Sequence, residues 1–261
     1  MSAASLLSQM LCLTLPCAAL VMLHVVGREL PDAGVVMVCC LLAGVAGAWG
    51  RACGLARRAR WRAAYLRAES PLSGWLRGGP LLTMLAFVHA LPLAFVLVVA
   101  TLRPQAAFTL AVLVLDVPLL VLLAHLWQRR LAGDVVEAQR TVLAWRAAQA
   151  CNALLLVSVL AILALFQTYP DYAGARLLEA LAHASAAETA DPARSVFVHT
   201  ALQLAAAKDA AAAWLGQQVL PGAGPALALL GWLVLLATDA LVVVSYQRLC
   251  VGTLVVMRRL A

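Results

Sequence analysis

Long apolar runs alternate with short polar segments along this chain. A helix needs about 20 apolar residues to cross a bilayer, and runs close to that length occur near 5–26, 33–50, 80–102, 106–127, 147–168 and 225–247. The pattern predicts an all-α, polytopic membrane bundle of six transmembrane helices, forming one domain over residues 1–261. The first run is read as a retained span, because it lacks a basic start and is too long for a signal peptide.

Two connections between the runs are also predicted to be helical. The inner connection 51–79 contains a basic amphipathic helix at 51–68, which is expected to lie on the membrane surface. The outer connection 169–224 is expected to hold a helix near 174–187 and a longer one that starts at Asp191-Pro192, since Asp caps helices and Pro suits the first turn. Trp49, Tyr172 and Trp214 are expected at the membrane interfaces.

Composition excludes a soluble globular protein. The chain is 64% hydrophobic and 12% charged, with a mean hydropathy of +0.94, whereas soluble domains average about 45–50% apolar and about 25% charged residues. Eighteen of its 19 basic residues are Arg, which is typical of a GC-rich coding sequence. The predicted location is therefore a bacterial inner membrane, with a GC-rich eukaryotic or viral source as the alternative. The net charge of +7 does not indicate a nucleic-acid partner.

The distribution of basic residues predicts the orientation. With six spans, 14 of the 19 basic residues fall on one side, in the connections 51–79 and 128–146 and at the C-terminal end. Cytoplasmic segments carry such an excess, so both chain ends are predicted to be inside and 169–224 outside. The inner arginines are candidates for binding anionic lipid or a protein partner, although ordinary topogenic charge accounts for them too; they are Arg57, Arg58, Arg60, Arg62 and Arg67.

Three ionisable residues lie near mid-depth in the predicted spans. Counted from the outer helix ends at ~1.5 Å per residue, Asp116 lies roughly 15 Å deep, and Asp239 and His89 lie roughly 20 Å deep. The turn Arg103-Pro104-Gln105 makes spans three and four neighbours, so a His89–Asp116 pair is geometrically plausible. Such residues are expensive in lipid and generally face the protein interior, a cavity or a partner.

These residues support two readings of function. In the first, the protein is a non-enzymatic membrane subunit or assembly factor of a larger complex, with protein partners or a second copy, and its acids hydrogen-bond to polar residues such as Asn152. In the second, it is a small transporter or proton-coupled channel with His89, Asp116 and Asp239 as its path. An intramembrane hydrolase would need both carboxylates around one water. The sequence contains no catalytic motif and no metal-ligand spacing, so no enzyme activity, cofactor or metal is predicted.

Overall fold

The structure is a computed structural model that describes residues 3–65, 79–104, 106–165, 170–172, 174–190, 192–219 and 225–260. Within these ranges the chain is helical and contains no strand. A 3-10 turn at Gly27–Glu29 joins the first two helices, and a π-helical turn at Leu215–Val219 follows the seventh. The helices are α1 (Ala3–Val26), α2 (Asp32–Tyr65), α3 (Pro80–Leu102), α4 (Ala106–Arg130), α5 (Glu137–Leu165), α6 (Leu177–Ala190), α7 (Val196–Trp214) and α8 (Pro225–Leu260).

Six of these helices are long and apolar enough to cross a membrane, which confirms the predicted number of candidate spans. By length and composition, the chain is an integral membrane protein. The candidate spans are Leu7–Glu29, Asp32–Trp61, Pro80–Leu102, Ala106–Arg130, Gln139–Leu163 and Asp239–Arg258. Helix α8 contains the whole predicted run 225–247 but continues to Leu260, and its candidate span lies in the later part of the helix.

Helix α2 differs from the sequence expectation. It runs without a break from Asp32 to Tyr65, so the basic segment extends the second span instead of forming a separate surface helix. At about 1.5 Å per residue its 34 residues span roughly 50 Å, well beyond the ~30 Å hydrocarbon core. Trp49 is buried in the main core, and the exposed aromatic side chains Trp61 and Tyr65 lie three to four turns further along.

The last helix is the centre of the bundle. Helix α8 packs against α1, α2, α3 and α5, and its Val243, Tyr246 and Cys250 are completely buried. The connected helices α3 and α4 each pack more extensively against α1 than against each other. A tight turn brings together only the ends that it joins, so the predicted α3–α4 adjacency holds near the turn but does not extend to broad packing.

Small residues allow two close helix contacts. Gly47 of α2 lies against Ala86 and Phe87 of α3, where an added Cβ would be 3.3 Å from their backbone. Gly252 of α8 lies against the Val45 carbonyl of α2, and a Cβ at that glycine would clash with it. Close backbone approach at small residues is a common way for membrane helices to associate, since it increases van der Waals contact.

Helices α6 and α7 form a hairpin, called here the cap, at the end of the bundle that carries the α1–α2 and α3–α4 turns. Tyr172, Ala180 and Ala210 form its small core, and Trp214 Nε1 donates to the Ala175 carbonyl at 2.9 Å. Tyr172, which was expected at a membrane interface, is buried in the core of the cap. Helix α7 begins at Val196 with Ser195 as its N-cap, so the start expected at Asp191-Pro192 is wrong; Asp191 itself lies outside the described residues.

Candidate functional site

Asp116 lies in a buried polar centre where α4, α5 and α8 meet. The centre consists of Asp116, Asn152, Tyr246 and Gln247, each at most 5% exposed. Asn152 Nδ2 donates to Asp116 Oδ2 at 2.8 Å, which is one of the contacts that the sequence reading named for this acid. The hydrogen bond joins α4 to α5 inside the predicted membrane region.

Gln247 connects this pair to the central helix. In the orientation that satisfies both ends of its amide, its oxygen accepts from Asn152 Nδ2 at 3.2 Å and from the Ala153 N–H at 3.0 Å. Its nitrogen donates to the Gln149 carbonyl at 3.0 Å. Gln149 Nε2 donates in turn to the Gln247 carbonyl at 3.1 Å. Gln247 thus joins α8 to α5 through hydrogen bonds to two backbone groups.

Tyr246 forms the other edge of the centre. Its hydroxyl donates to the Leu113 carbonyl of α4 at 2.6 Å and lies 3.9 Å from Cys17 Sγ of α1. Sequence analysis missed Tyr246 and Gln247, which are the last two residues of the predicted sixth span at 225–247. The available signal was the polar triplet Ser245-Tyr246-Gln247 within an otherwise apolar helix.

His89 is not part of this centre. Its side chain is exposed on α3, beside the exposed Val88, and Asp116 is paired with Asn152 instead. Asn152 occupies the position next to the acid that His89 was expected to take. The two helices share a turn, but their rotation directs the imidazole away from the bundle.

Asp239 lies in a charged cluster at the cap end of the bundle. Arg103, in the α3–α4 turn, forms an ion pair with Asp209 of the cap, and Lys208 Nζ lies 3.1 Å from Asp209 Oδ1. Burial, and secondarily the positive charge of Arg103, lower the pKa of Lys208, whereas the Asp239 carboxylate opposes that lowering. Among the described residues, the cluster contains two basic side chains, Arg103 and Lys208, and two acidic ones, Asp209 and Asp239.

The register of α8 explains why Asp239 lies at the cap end of the bundle. Gly252 lies against Val45, and counting 13 residues back along the two parallel helices leads to Asp239 and Asp32. That distance is about 20 Å along each helix axis. Asp32 starts α2, so Asp239 lies level with the beginning of the second span. The depth estimated from the sequence assumed a span that began at residue 225.

The cap is attached to the bundle by hydrogen bonds that sequence analysis did not identify. Ser195 Oγ donates to Asp32 Oδ1 at 2.5 Å, and the Arg194 N–H donates to the Arg28 carbonyl at 2.9 Å. The Arg28 guanidinium donates to Glu188 Oε2 at 3.3 Å and to the Leu102 carbonyl at 3.2 Å. In the sequence, the residues that attach the cap appear only as charged and polar residues in the connections between apolar runs. Such residues are common in loops, so they do not predict a specific contact.

The basic residues of α2 lie at the opposite end. Arg57 and Arg60 are exposed and Arg58 is half-buried. The rings of Trp61 and Tyr65 lie beside them with centroids 4.9 Å apart. The Arg62 side chain and the whole of Arg67 lie outside the described residues.

The described residues form no three-ligand metal site, and the cavity that they line between α3, α4 and α8 is small. In the described part of the chain, no group of three His, Cys, Asp or Glu side chains is arranged to hold a metal ion. A cavity of about 10 Å³ lies between α3, α4 and α8, with Thr101 and Thr109 as its polar lining residues. That volume is at the lower limit for one water molecule. Comparison with protein-family models, with curated proteins and with solved structures found no match.

Proposed function

We propose that this protein is a non-enzymatic, membrane-embedded subunit or assembly factor of a larger membrane complex. The observation that carries the proposal is the position of His89. It is an ionisable side chain on the outer surface of a membrane-spanning helix, and no hydrogen-bond partner is found for it among the described residues.

The depth of His89 makes lipid a poor environment for it. At about 1.5 Å per residue it lies roughly 14 Å from Pro80 and roughly 20 Å from Leu102, near the middle of α3. Ionisable residues within membrane spans generally face protein or water, because hydrocarbon offers them no hydrogen bond. A partner helix with a polar group at this depth would supply that hydrogen bond.

The apolar neighbours of His89 do not distinguish lipid from protein. Met84, Leu85 and Val88 are 65%, 49% and 59% exposed, as expected for any helix in contact with lipid. Only the imidazole of His89 distinguishes a protein contact from lipid, because it needs a hydrogen-bond partner. The fold of the chain supports the same function, since buried polar side chains such as Asn152 and Gln247 join its helices together.

The transport alternative has less support. Its three residues lie in three different environments: His89 on the outer surface of α3, Asp116 in the buried centre, and Asp239 in the charged cluster next to the cap. A relay needs donors and acceptors in sequence along one path, and these residues do not form such a sequence.

We also propose that the chain ends lie in the cytoplasm of a bacterial cell and the cap lies outside. The support is the arginine excess at the end of the bundle opposite the cap. The exposed Arg57 and Arg60, next to the Trp61–Tyr65 pair, are well suited to anionic lipid headgroups at that surface.

Photo-crosslinking tests the subunit proposal. A photoreactive amino acid in place of Leu85, one helical turn from His89 on the same face, is expected to give a discrete protein adduct in native membranes. His89→Leu in the same background is expected to reduce the adduct. An interhelical hydrogen bond contributes about 0.6–2 kcal/mol, which corresponds to roughly 3- to 30-fold in affinity.

The matched control places the photoreactive residue at Leu115, which is 77% exposed on α4. Only lipid adducts are expected there. His89→Leu changes an exposed side chain, so thermal unfolding of the purified variant should match that of the wild type. Lipid adducts alone at position 85, or a protein adduct that His89→Leu leaves unchanged, would contradict the proposal.

A further inference from the structure

The buried polar centre lacks one hydrogen-bond donor. Asn152 is 0% exposed, and its two amide hydrogens have acceptors in Asp116 Oδ2 at 2.8 Å and the Gln247 side-chain oxygen at 3.2 Å. Its own oxygen Oδ1 is buried, and no described residue forms a hydrogen bond with it. Buried polar atoms in native proteins nearly always have a hydrogen-bond partner, so a donor to this oxygen is expected.

The neighbouring groups do not supply that donor. The Tyr246 hydroxyl is directed to the Leu113 carbonyl, and the Gln247 nitrogen is directed to the Gln149 carbonyl. Among the described residues, Asp116 is the remaining polar side chain shown in contact with Asn152. A carboxylic acid in its neutral form has one O–H to donate.

We propose that Asp116 carries a proton in the folded protein and shares it with Asn152, so that the two side chains form a closed acid–amide pair between α4 and α5. Asn152 Nδ2 donates to Asp116 Oδ2, and the O–H of the other carboxyl oxygen donates to Asn152 Oδ1. Both atoms of the amide and both oxygens of the acid are then satisfied by a single proton.

The electrostatic surroundings favour the same state. The titratable groups that face Asp116 are Tyr246 and Cys250 from α8 and Cys17 from α1, and none of them is a cation. An ionised carboxylate without a countercharge is very unfavourable in a buried, membrane-embedded site. Binding a proton neutralises it with no further ligand.

This inference goes beyond the proposed function and does not depend on it. It assigns Asp116 a proton-binding role in helix packing, which applies whether or not His89 contacts a partner. Gln247 of α8 also contacts Asn152, so the pair lies where three helices meet.

Infrared difference spectroscopy tests the proposal on the full chain in lipid nanodiscs at neutral pH. The wild type minus Asp116→Asn spectrum is expected to show the carbonyl stretch of one protonated carboxylic acid per chain. The band should shift in D₂O, and it should also shift when the protein contains aspartate labelled with ¹³C at the side-chain carboxyl. Asp116→Asn should fold, since two amides form an equivalent closed pair.

Asn152→Leu provides the second variant, and it is expected to move the band to higher frequency because the acid loses its amide partner. A wild-type ¹³C spectrum without any protonated aspartate would overturn the proposal, even if a variant failed to fold. A band that Asn152→Leu does not move would overturn the pairing. A spectrum that changes when sodium replaces potassium would assign the site to a metal ion and overturn it too.

Discussion

At the scale of single residues, Lys208 offers the most specific chemical probe of this protein, because the chain contains no other lysine. It lies on α7, outside the candidate spans, in the cluster with Arg103, Asp209 and Asp239. Burial and the Arg103 charge lower its pKa, so the amine is easier to deprotonate in the folded protein than in the unfolded chain.

We therefore expect Lys208 to react with an amine reagent at lower pH in the folded protein than after denaturation. Because the fold disfavours the protonated amine, the free energy of unfolding decreases as the pH falls from the pKa of Lys208 in the unfolded chain toward its pKa in the folded protein. The measurement is the labelling rate of the peptide containing Lys208 against pH, by mass spectrometry.

Two variants are expected to shift the labelling curve of Lys208 in opposite directions. Asp239→Asn removes the carboxylate that opposes the lowering, so the labelling curve should move to still lower pH. Arg103→Gln removes a positive charge and should move the curve to higher pH. Identical curves for the folded and denatured protein would show that Lys208 is not buried in this cluster.

At the scale of helices, glycine sets how closely α8 approaches α2. Gly252→Ala would place a methyl group against the Val45 carbonyl, so the two helices must separate. We expect a loss of about 1–3 kcal/mol in the free energy of unfolding, as for other overpacked interiors. The measurement is unfolding of the purified protein in mixed detergent micelles.

Gly44→Ala is the matched control on α2. An added Cβ there meets no atom within 4 Å, so no clash is expected. Alanine also favours a helix over glycine by up to about 1 kcal/mol, so this variant should be neutral or slightly more stable. Equal effects of the two alanines would mean that α8 does not contact α2 at Gly252.

At the scale of the whole molecule, the cap and the basic end of α2 lie at opposite ends of the bundle. If the cap faces the outside, a membrane-impermeant amine reagent is expected to label Lys208 in intact cells freed of any outer membrane. Arg57→Lys in a Lys208→Arg background moves the only lysine to the opposite end, and labelling should then require permeabilisation. Labelling of position 57 but not 208 in intact cells would reverse the proposed orientation.

Part of the site was accessible from the sequence and part was not. A carboxylate in an apolar run identified Asp116, and the short list of polar span residues included Asn152 as its partner. The sequence did not distinguish His89 from Asp116, because both interrupt apolar runs at similar depth. Only the rotation of α3 and α4 places one on the surface and the other in the centre.

The amino-acid sequence alone was sufficient to predict a helical chain, six segments long and apolar enough to cross a membrane, and the places where basic residues cluster. These properties are local, since a window of about 20 residues is sufficient to judge whether a helix is compatible with lipid. The tertiary structure decided which side chains meet, because helix rotation and register depend on contacts between distant segments. The Gly252–Val45 contact placed Asp239 beside the cap, and Gln247 joined α8 to α5 through hydrogen bonds that no local pattern specifies.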